Sequence, residues 1–327
     1  MRVGIQLTSN PQKYEFLLSL IQSELSNKIN IDFIHISSEN KLRTELPNLD
    51  ILTCYNITPK SFSYSSNKLK WIHVGAAGIE ESLFPEILKS KTIITNASGI
   101  HAGPVSEFTM GMILYMVKQF RGCNQFMSDK IWTQWELAKN ISQLKGKTIG
   151  IIGFGSIGKA IAKKAKAFEM QVISTRRLQK KVEQKKIVDE LIPLSELDHL
   201  LSNSNFIVVA CPLTPMTNGM IGKKEISKIT KSAYLINIAR GEIIKENALI
   251  NALQKKSIAG AALDVYKDEP LQKDHPLFKL DNVFLSPHIA GNFRKYQNDV
   301  ALQFTNNLNR FLTGKNLINR VCKKRLY

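Results

Sequence analysis

The sequence predicts an α/β protein of two doubly wound, parallel-sheet domains, the second inserted into the first. Three observations predict it. Short strand-like apolar runs alternate with helical patterns from the first residues onward, which indicates a parallel sheet covered by helices. A second alternation of the same kind begins at "GKTIGIIGFG". Finally, one strongly apolar helical stretch precedes that second set and one amphipathic stretch follows it. The chain therefore leaves its first domain and returns to it. The expected boundaries are residues 1–97 with 293–327 for one domain and 98–292 for the other.

In chain order, "RVGIQL" reads as a buried strand, "KYEFLLSLIQSEL" as an amphipathic helix and "IDFIHI" as a second strand. "LDILTCY", "LKWIHV" and "TIITN" supply three more strands. "GPVSEFTMGMILYMVKQFRG" reads as one long helix, with Pro104 near its start and Gly122 near its end. Its nearly all-round apolar surface predicts burial between domains or subunits, hence a homodimer. The second set of strands is "TIGIIG", "MQVIST", "FIVVAC", "YLINIA", "AGAALDV" and "VFLSPH". "RKYQNDVALQFTNNLNRFLTG" is the returning helix.

At 327 residues, 43% of them hydrophobic, the chain suffices for two buried cores. Four scattered cysteines without a CxxC suit a reducing compartment and argue against a structural metal site. The N-terminus shows no secretory pattern, and no apolar run approaches the ~20 residues of a membrane span. The expected location is the cytoplasm, with no membrane partner. The net charge of +18 raises nucleic acid as a partner. Its dispersal, without any nucleic-acid-binding motif, favours solvated surface instead. One concentration stands out: Lys159 to Lys186 holds ten Lys or Arg against two Glu.

That basic segment directly follows a glycine-rich turn, "GFGSIG", set between the strand "TIGIIG" and the helix "IGKAIAKKAKAF". This context predicts a dinucleotide-binding Rossmann domain. Gly153 permits the tight turn, Gly155 lets a pyrophosphate approach the backbone, and Gly158 allows close helix–strand packing. The amides of Ser156 and Ile157 then form the anion site at the helix start. An NAD-binding chain places an acid for the ribose hydroxyls about 20 residues further on. Here "VISTRR" puts Arg176 and Arg177 there, Arg176 lying 18 residues beyond Gly158. An arginine attracts a 2′-phosphate and can grip it with two hydrogen bonds, so NADPH is the expected cofactor and NAD the lesser one. Arg177 and the hydroxyls of Ser174 and Thr175 offer further contacts, although alternation along the strand means that not all of them point inward. The alternative is a pair of solvent-facing arginines.

Three further stretches, "NIARGEII" with Arg240, "LDVYKDEP" with Asp264 and Glu269, and "LSPHIAG" with His288, resemble the D-isomer-specific 2-hydroxyacid dehydrogenases. The resemblance covers almost the whole chain, including "TNASGIHAGPVSEF", "ACPLTPMTNGMI" and "NLNRFLTGKNLINRV". It implies a flavodoxin-like substrate domain around the Rossmann domain, and hydride transfer between NAD(P)H and a small 2-oxo acid. In that reading Arg240 grips the carboxylate and polarises the carbonyl, and His288 is the proton donor. Glu269 hydrogen-bonds His288 and favours its imidazolium. The amides of Ala76, Ala77 and Gly78, in "HVGAAGI", hold the carboxylate from the other domain. Asp264 orients the nicotinamide carboxamide, and Pro212 and Thr217 line the cofactor groove. His101 either touches substrate or caps the following helix. His35, His73, His199 and His275 lack such context and are expected to be structural or exposed.

Lys245 and Ser232 depart from the family pattern, outside the expected chemistry. The short ends lack the regulatory domain of some phosphoglycerate dehydrogenases, which points to a reductase of glyoxylate or hydroxypyruvate type. Two rivals remain at this stage. One is a dinucleotide-sensing corepressor resembling C-terminal-binding proteins; the other is a basic nucleic-acid-binding protein.

Overall fold

A computed structural model describes residues 1–26, 30–177 and 179–324. The chain divides into two compact units, Met1–Ile100 with Phe293–Tyr327, and His101–Asn292.

The first unit carries β1 (Arg2–Gln6), α1 (Pro11–Ser23), β2 (Asp32–His35), α2 (Glu39–Glu45), β3 (Ile51–Cys54), α3 (Pro59–Phe62), β4 (Trp71–Val74), α4 (Pro85–Lys89) and β5 (Ile93–Asn96). All pairings are parallel, in the order β2-β1-β3-β4-β5. The sequence forms these elements for local reasons. Asn10 caps α1 by accepting from the Lys13 amide, and Pro11 opens the helix. β3 and β4 are buried at every position, as strands covered on both faces must be. One face packs Leu17 and Ile21 of α1 and Phe304 and Leu308 of the closing helix, Tyr296–Leu312, against Val3, Ile5 and Trp71. The other face packs Leu42, Leu46 and Ile87 against Leu52, Ile72 and Ile94. The strand order reverses at β1–β3, and ligands of such sheets bind at the carboxyl ends beside that point.

A polar row crosses this core. Trp71 Nε1 donates to Thr95 Oγ1 at 2.8 Å, and His73 Nδ1 is hydrogen-bonded to the same oxygen, also at 2.8 Å. His73 is fully buried, its Nε2 has no partner among the described residues, and burial pushes its pKa down to about 3. The unfolded chain protonates this imidazole near 6.5, whereas the folded chain resists protonation down to about 3. Its contribution to folding is therefore intact above 6.5 and falls as pH drops through that window, by about 1.4 kcal/mol per unit. Urea titrations of wild type and His73→Gln between pH 7 and 4 should show the wild-type advantage shrinking at that rate. A pH-independent difference would refute it.

The second unit begins with α5 (Ala102–Val117), α6 (Phe120–Asp129) and α7 (Gln134–Ala138). The single long helix expected from the sequence is thus broken. Gln119 takes a left-handed conformation, φ 57°, and the Lys118 amide closes α5 on the Leu114 carbonyl. Gly122 lies inside α6 rather than at a helix end. The apolar face of α5 is also used within its own unit: Val105, Met110, Ile113 and Val117 pack with Ile161, Ala162 and Ala165.

Next come β6 (Thr148–Ile152), α8 (Ser156–Ala167), β7 (Gln171–Arg176), β8 (Glu183–Lys185), β9 (Val188–Pro193), α9 (Leu197–Ser202), β10 (Phe206–Val209), α10 (Lys223–Ile226), β11 (Tyr234–Asn237), α11 (Glu246–Gln254), β12 (Gly260–Leu263) and β13 (Val283–Leu285). The sheet order is β13-β12-β11-β10-β6-β7-β9-β8, parallel except for β8 against β9. Those two strands escape a reading of apolar runs, because charged residues interrupt both "VDELIP" and the edge strand "EQK". The switch point falls between β6 and β10, where the glycine turn lies. Among the described residues no helix is long and apolar enough to cross a membrane, and Cys54, Cys123 and Cys211 are free thiols.

Candidate active site

In the second unit the glycine turn follows β6. Gly153 has φ 109°, and a Cβ there would fall 2.9 Å from the Ala210 carbonyl oxygen and the Cys211 backbone. At Gly158 a Cβ would come within 2.1 Å of the Gly153 carbonyl oxygen, so helix and turn meet only through glycine. Around Gly155 nothing lies within 4 Å of that position. The first amides of α8, from Ser156 and Ile157, have no acceptor within the helix. An open glycine before unpaired, positively polarised amides fits the pyrophosphate of a dinucleotide.

The end of β7 is tied to this turn, since the Gly153 amide donates to Thr175 Oγ1 at 3.3 Å. Arg176 and Arg177 follow immediately and are exposed. Ser174 and Thr175 are not available as expected. Both are buried, and Ser174 Oγ donates to the Ile151 carbonyl at 2.9 Å, while Thr175 holds Gly153. Burial in the strand directs the Ser174 hydroxyl into the sheet and the Thr175 oxygen to the glycine turn. Pro212 is exposed at the end of β10. Thr217 is buried, with its hydroxyl donating to the Pro212 carbonyl at 2.7 Å and accepting from the Thr214 amide at 2.8 Å. It shapes the loop rather than presenting its hydroxyl to a groove.

The remaining residues of this unit follow the carboxyl ends of β11, β12 and β13. Arg240 comes just after β11, its backbone carbonyl held by Asn237 Nδ2 at 2.9 Å. Gly241 lies against the next loop so closely that a Cβ would sit 1.9 Å from the Tyr266 carbonyl carbon. That loop carries Glu269, whose Oε1 accepts from the Tyr266 amide at 2.9 Å. The other oxygen, Oε2, meets His288 Nδ1 at 2.7 Å. The carboxylate thus occupies one ring nitrogen and leaves Nε2 for proton delivery.

His288 itself adopts φ 54°, an unfavourable region for a non-glycine residue that costs on the order of 1–3 kcal/mol. Asp264 holds the turn in place. It is 2% exposed; Oδ1 accepts from Ser286 Oγ at 2.6 Å and the Ile289 amide at 2.9 Å, and Oδ2 from the Ala290 amide at 2.9 Å. Three hydrogen bonds into "SPHIA" make this carboxylate an anchor of the histidine loop, a role the sequence reading did not give it.

His101 precedes α5 but makes no side-chain cap. Its Nδ1 meets the Gly291 carbonyl oxygen at 3.0 Å, joining α5 to the histidine loop. Burial lowers its pKa, opposed by the Gly291 bond and reinforced by the Arg240 cation. His101, Arg240, Glu269 and His288 are therefore gathered at one edge of the sheet. The four other histidines lie apart: His73 in the core, His35 stacked on Tyr14, His199 on Glu190 and His275 on Glu246.

In the first unit the loop after β4 holds Ala76, Ala77 and Gly78, all partly exposed. Among the described residues no acceptor takes their amides. Consecutive unpaired amides form a concave anion-binding surface.

With this geometry in view, the comparisons are specific. Residues 110–290 match the model of the D-isomer specific 2-hydroxyacid dehydrogenase NAD-binding domain. A glyoxylate reductase of Thermofilum pendens is 38% identical over 229 residues, 68% of this chain and 66% of the relative. A glyoxylate reductase of Thermococcus litoralis is 35% identical over 269 residues, 80% of each chain. An NADPH-dependent glyoxylate/hydroxypyruvate reductase of Sinorhizobium meliloti, crystallised with NADP and sulfate, shares the fold with a TM-score of 0.84 at 23% identity, covering 100% of this chain and 99% of its own. The chain belongs to the D-isomer-specific 2-hydroxyacid dehydrogenases, enzymes that use a nicotinamide cofactor to interconvert 2-oxo and 2-hydroxy acids.

Proposed function

We propose that this enzyme reduces a small 2-oxo acid of the glyoxylate or hydroxypyruvate class to the D-2-hydroxy acid, with NADPH preferred over NADH. The observation that carries the chemistry is the His288–Glu269 contact of 2.7 Å at the carboxyl edge of the sheet, where Arg240 also follows a strand end. The guanidinium of Arg240 binds the carboxylate and draws charge from the carbonyl oxygen. His288 gives that oxygen its proton, while Glu269 holds the imidazole in the orientation and tautomer required. The amides of Ala76, Ala77 and Gly78 bind the substrate carboxylate. When bound, the cofactor would supply the hydride from its nicotinamide; Gly155 and the α8 amides would hold its pyrophosphate, and Asp264 and the groove by Pro212 would face the rest of it.

The unit Met1–Ile100 with Phe293–Tyr327 serves substrate, and His101–Asn292 serves cofactor. A homodimer remains part of this reading, on a different surface from the one first expected. α5 is packed within its own unit, whereas Met127, Ile131, Trp132, Trp135 and Ile141 are 47–75% exposed. Large apolar side chains left exposed within one short stretch of chain suit an association surface. Light scattering should therefore report twice the chain mass.

The test is a panel of 2-oxo acids assayed with NADPH and NADH, followed by the reverse reaction on both hydroxy-acid isomers. Turnover of glyoxylate or hydroxypyruvate with NADPH, and of the D isomer in reverse, is expected. Activity confined to an L isomer would overturn the proposal.

A further inference from the structure

The three amides of Ala76, Ala77 and Gly78 are useful to a carboxylate only if their peptide planes are fixed. A trans peptide is flat, with the carbonyl of one residue pointing opposite to the amide of the next. Holding a carbonyl therefore aims the following N–H. Each of the three preceding carbonyls has its own donor. The Gly75 carbonyl accepts from the Tyr296 hydroxyl, the Ala76 carbonyl from the Ala97 amide at 3.0 Å, and the Ala77 carbonyl from Asn96 Nδ2 at 2.9 Å. We infer that Tyr296 and Asn96 are positioning residues for the reaction: by clamping the Gly75 and Ala77 carbonyls they turn the amides of Ala76 and Gly78 toward the substrate carboxylate. The inference rests on the reading of this loop given above.

Both clamps are themselves fixed. Tyr296 opens the closing helix, its ring stacked at 6.2 Å and 19° on Tyr55 and met edge-on by Phe293 at 5.7 Å. Burial pushes its hydroxyl up to about 12, so the group stays a donor throughout the working range. Asn96 ends β5 and is 9% exposed. Its backbone amide reaches the Asn319 carbonyl at 3.2 Å, and its Oδ1 accepts from the Ser98 amide at 3.2 Å. That second bond settles which end of the side-chain amide faces Ala77. The substrate loop is therefore braced both by the neighbouring strand end and by the helix that returns from the far end of the chain.

The experiment is steady-state kinetics on the full chain with glyoxylate and NADPH. Tyr296→Phe keeps the ring and its stacking and deletes only the donor. The KM for glyoxylate should rise about tenfold, the size of one positioned hydrogen bond, with kcat nearly unchanged, as for binding shared by ground and transition states. Asn96→Asp, which sets an anion against the Ala77 carbonyl and beside the bound carboxylate, should raise it further. The KM for NADPH and the thermal midpoint should stay near wild type in Tyr296→Phe, which a merely structural role would not predict. A third variant, Ala77→Pro, deletes one of the amides. If Ala77→Pro raises the glyoxylate KM and the two clamp variants do not, the positioning inference is overturned and the loop reading stands. If all three leave that KM unchanged, the loop does not hold the carboxylate and both fall.

Discussion

His288→Ala is expected to lower kcat by about 10²–10⁴-fold, the usual contribution of a positioned proton donor, with cofactor binding near wild type. The size follows from how much of the structure is committed to one ring. Glu269 Oε2 takes Nδ1 at 2.7 Å, and its other oxygen is fixed by the Tyr266 amide, so the carboxylate cannot swing away. The backbone at φ 54° is kept there by the hydrogen bonds of Asp264. None of this restraint is needed to bind a dinucleotide, so the loss should appear in kcat rather than in the KM for NADPH. Arg240→Ala differs in kind. A guanidinium on the carboxylate serves ground and transition states, so KM for the oxo acid and kcat should both suffer. Near-wild-type turnover in either variant would mean that other residues carry the reaction.

The fold was legible where its signals are local. Runs such as "FIVVAC" are buried on both faces, and the glycine turn has its own backbone signature in "GFGSIG". Elements governed by longer-range contacts were not. β8 is an edge strand and β9 its neighbour, both with alternation masked by Glu, Lys and Asp, and the break at Gln119 follows no glycine or proline. The candidate site divides in the same way. Arg240, Glu269 and His288 stand out through their motifs, and the structure brings the last two into contact. Asp264 carries a motif as well, but its three bonds to residues 286–290 depend on the spacing of two strand ends. Tyr296 gives no sequence signal at all. It lies 221 positions from the carbonyl it holds, and only the folded sheet brings the two together.

The proposed preference for NADPH turns on the end of β7. Arg176 stands where an acid would hydrogen-bond the ribose hydroxyls of NAD, and an acid there would repel a 2′-phosphate. Thr175 ties that strand end to Gly153, so the cation directly follows the residue bonded to the glycine turn. With the Ser174 and Thr175 hydroxyls engaged inside the sheet, recognition of a 2′-phosphate falls to the guanidinium of Arg176, with Arg177 beside it. Arg176→Asp removes a charge-assisted bond worth ~2–3 kcal/mol and replaces it with repulsion. The KM for NADPH should then rise roughly 30- to 150-fold, while that for NADH stays level or falls. Because Arg176 is exposed, the wild-type preference should also weaken as salt screens the phosphate, an effect absent with NADH. If wild type uses both cofactors alike and Arg176→Asp changes neither KM, the two arginines are surface charge and the preference has no basis at this strand end.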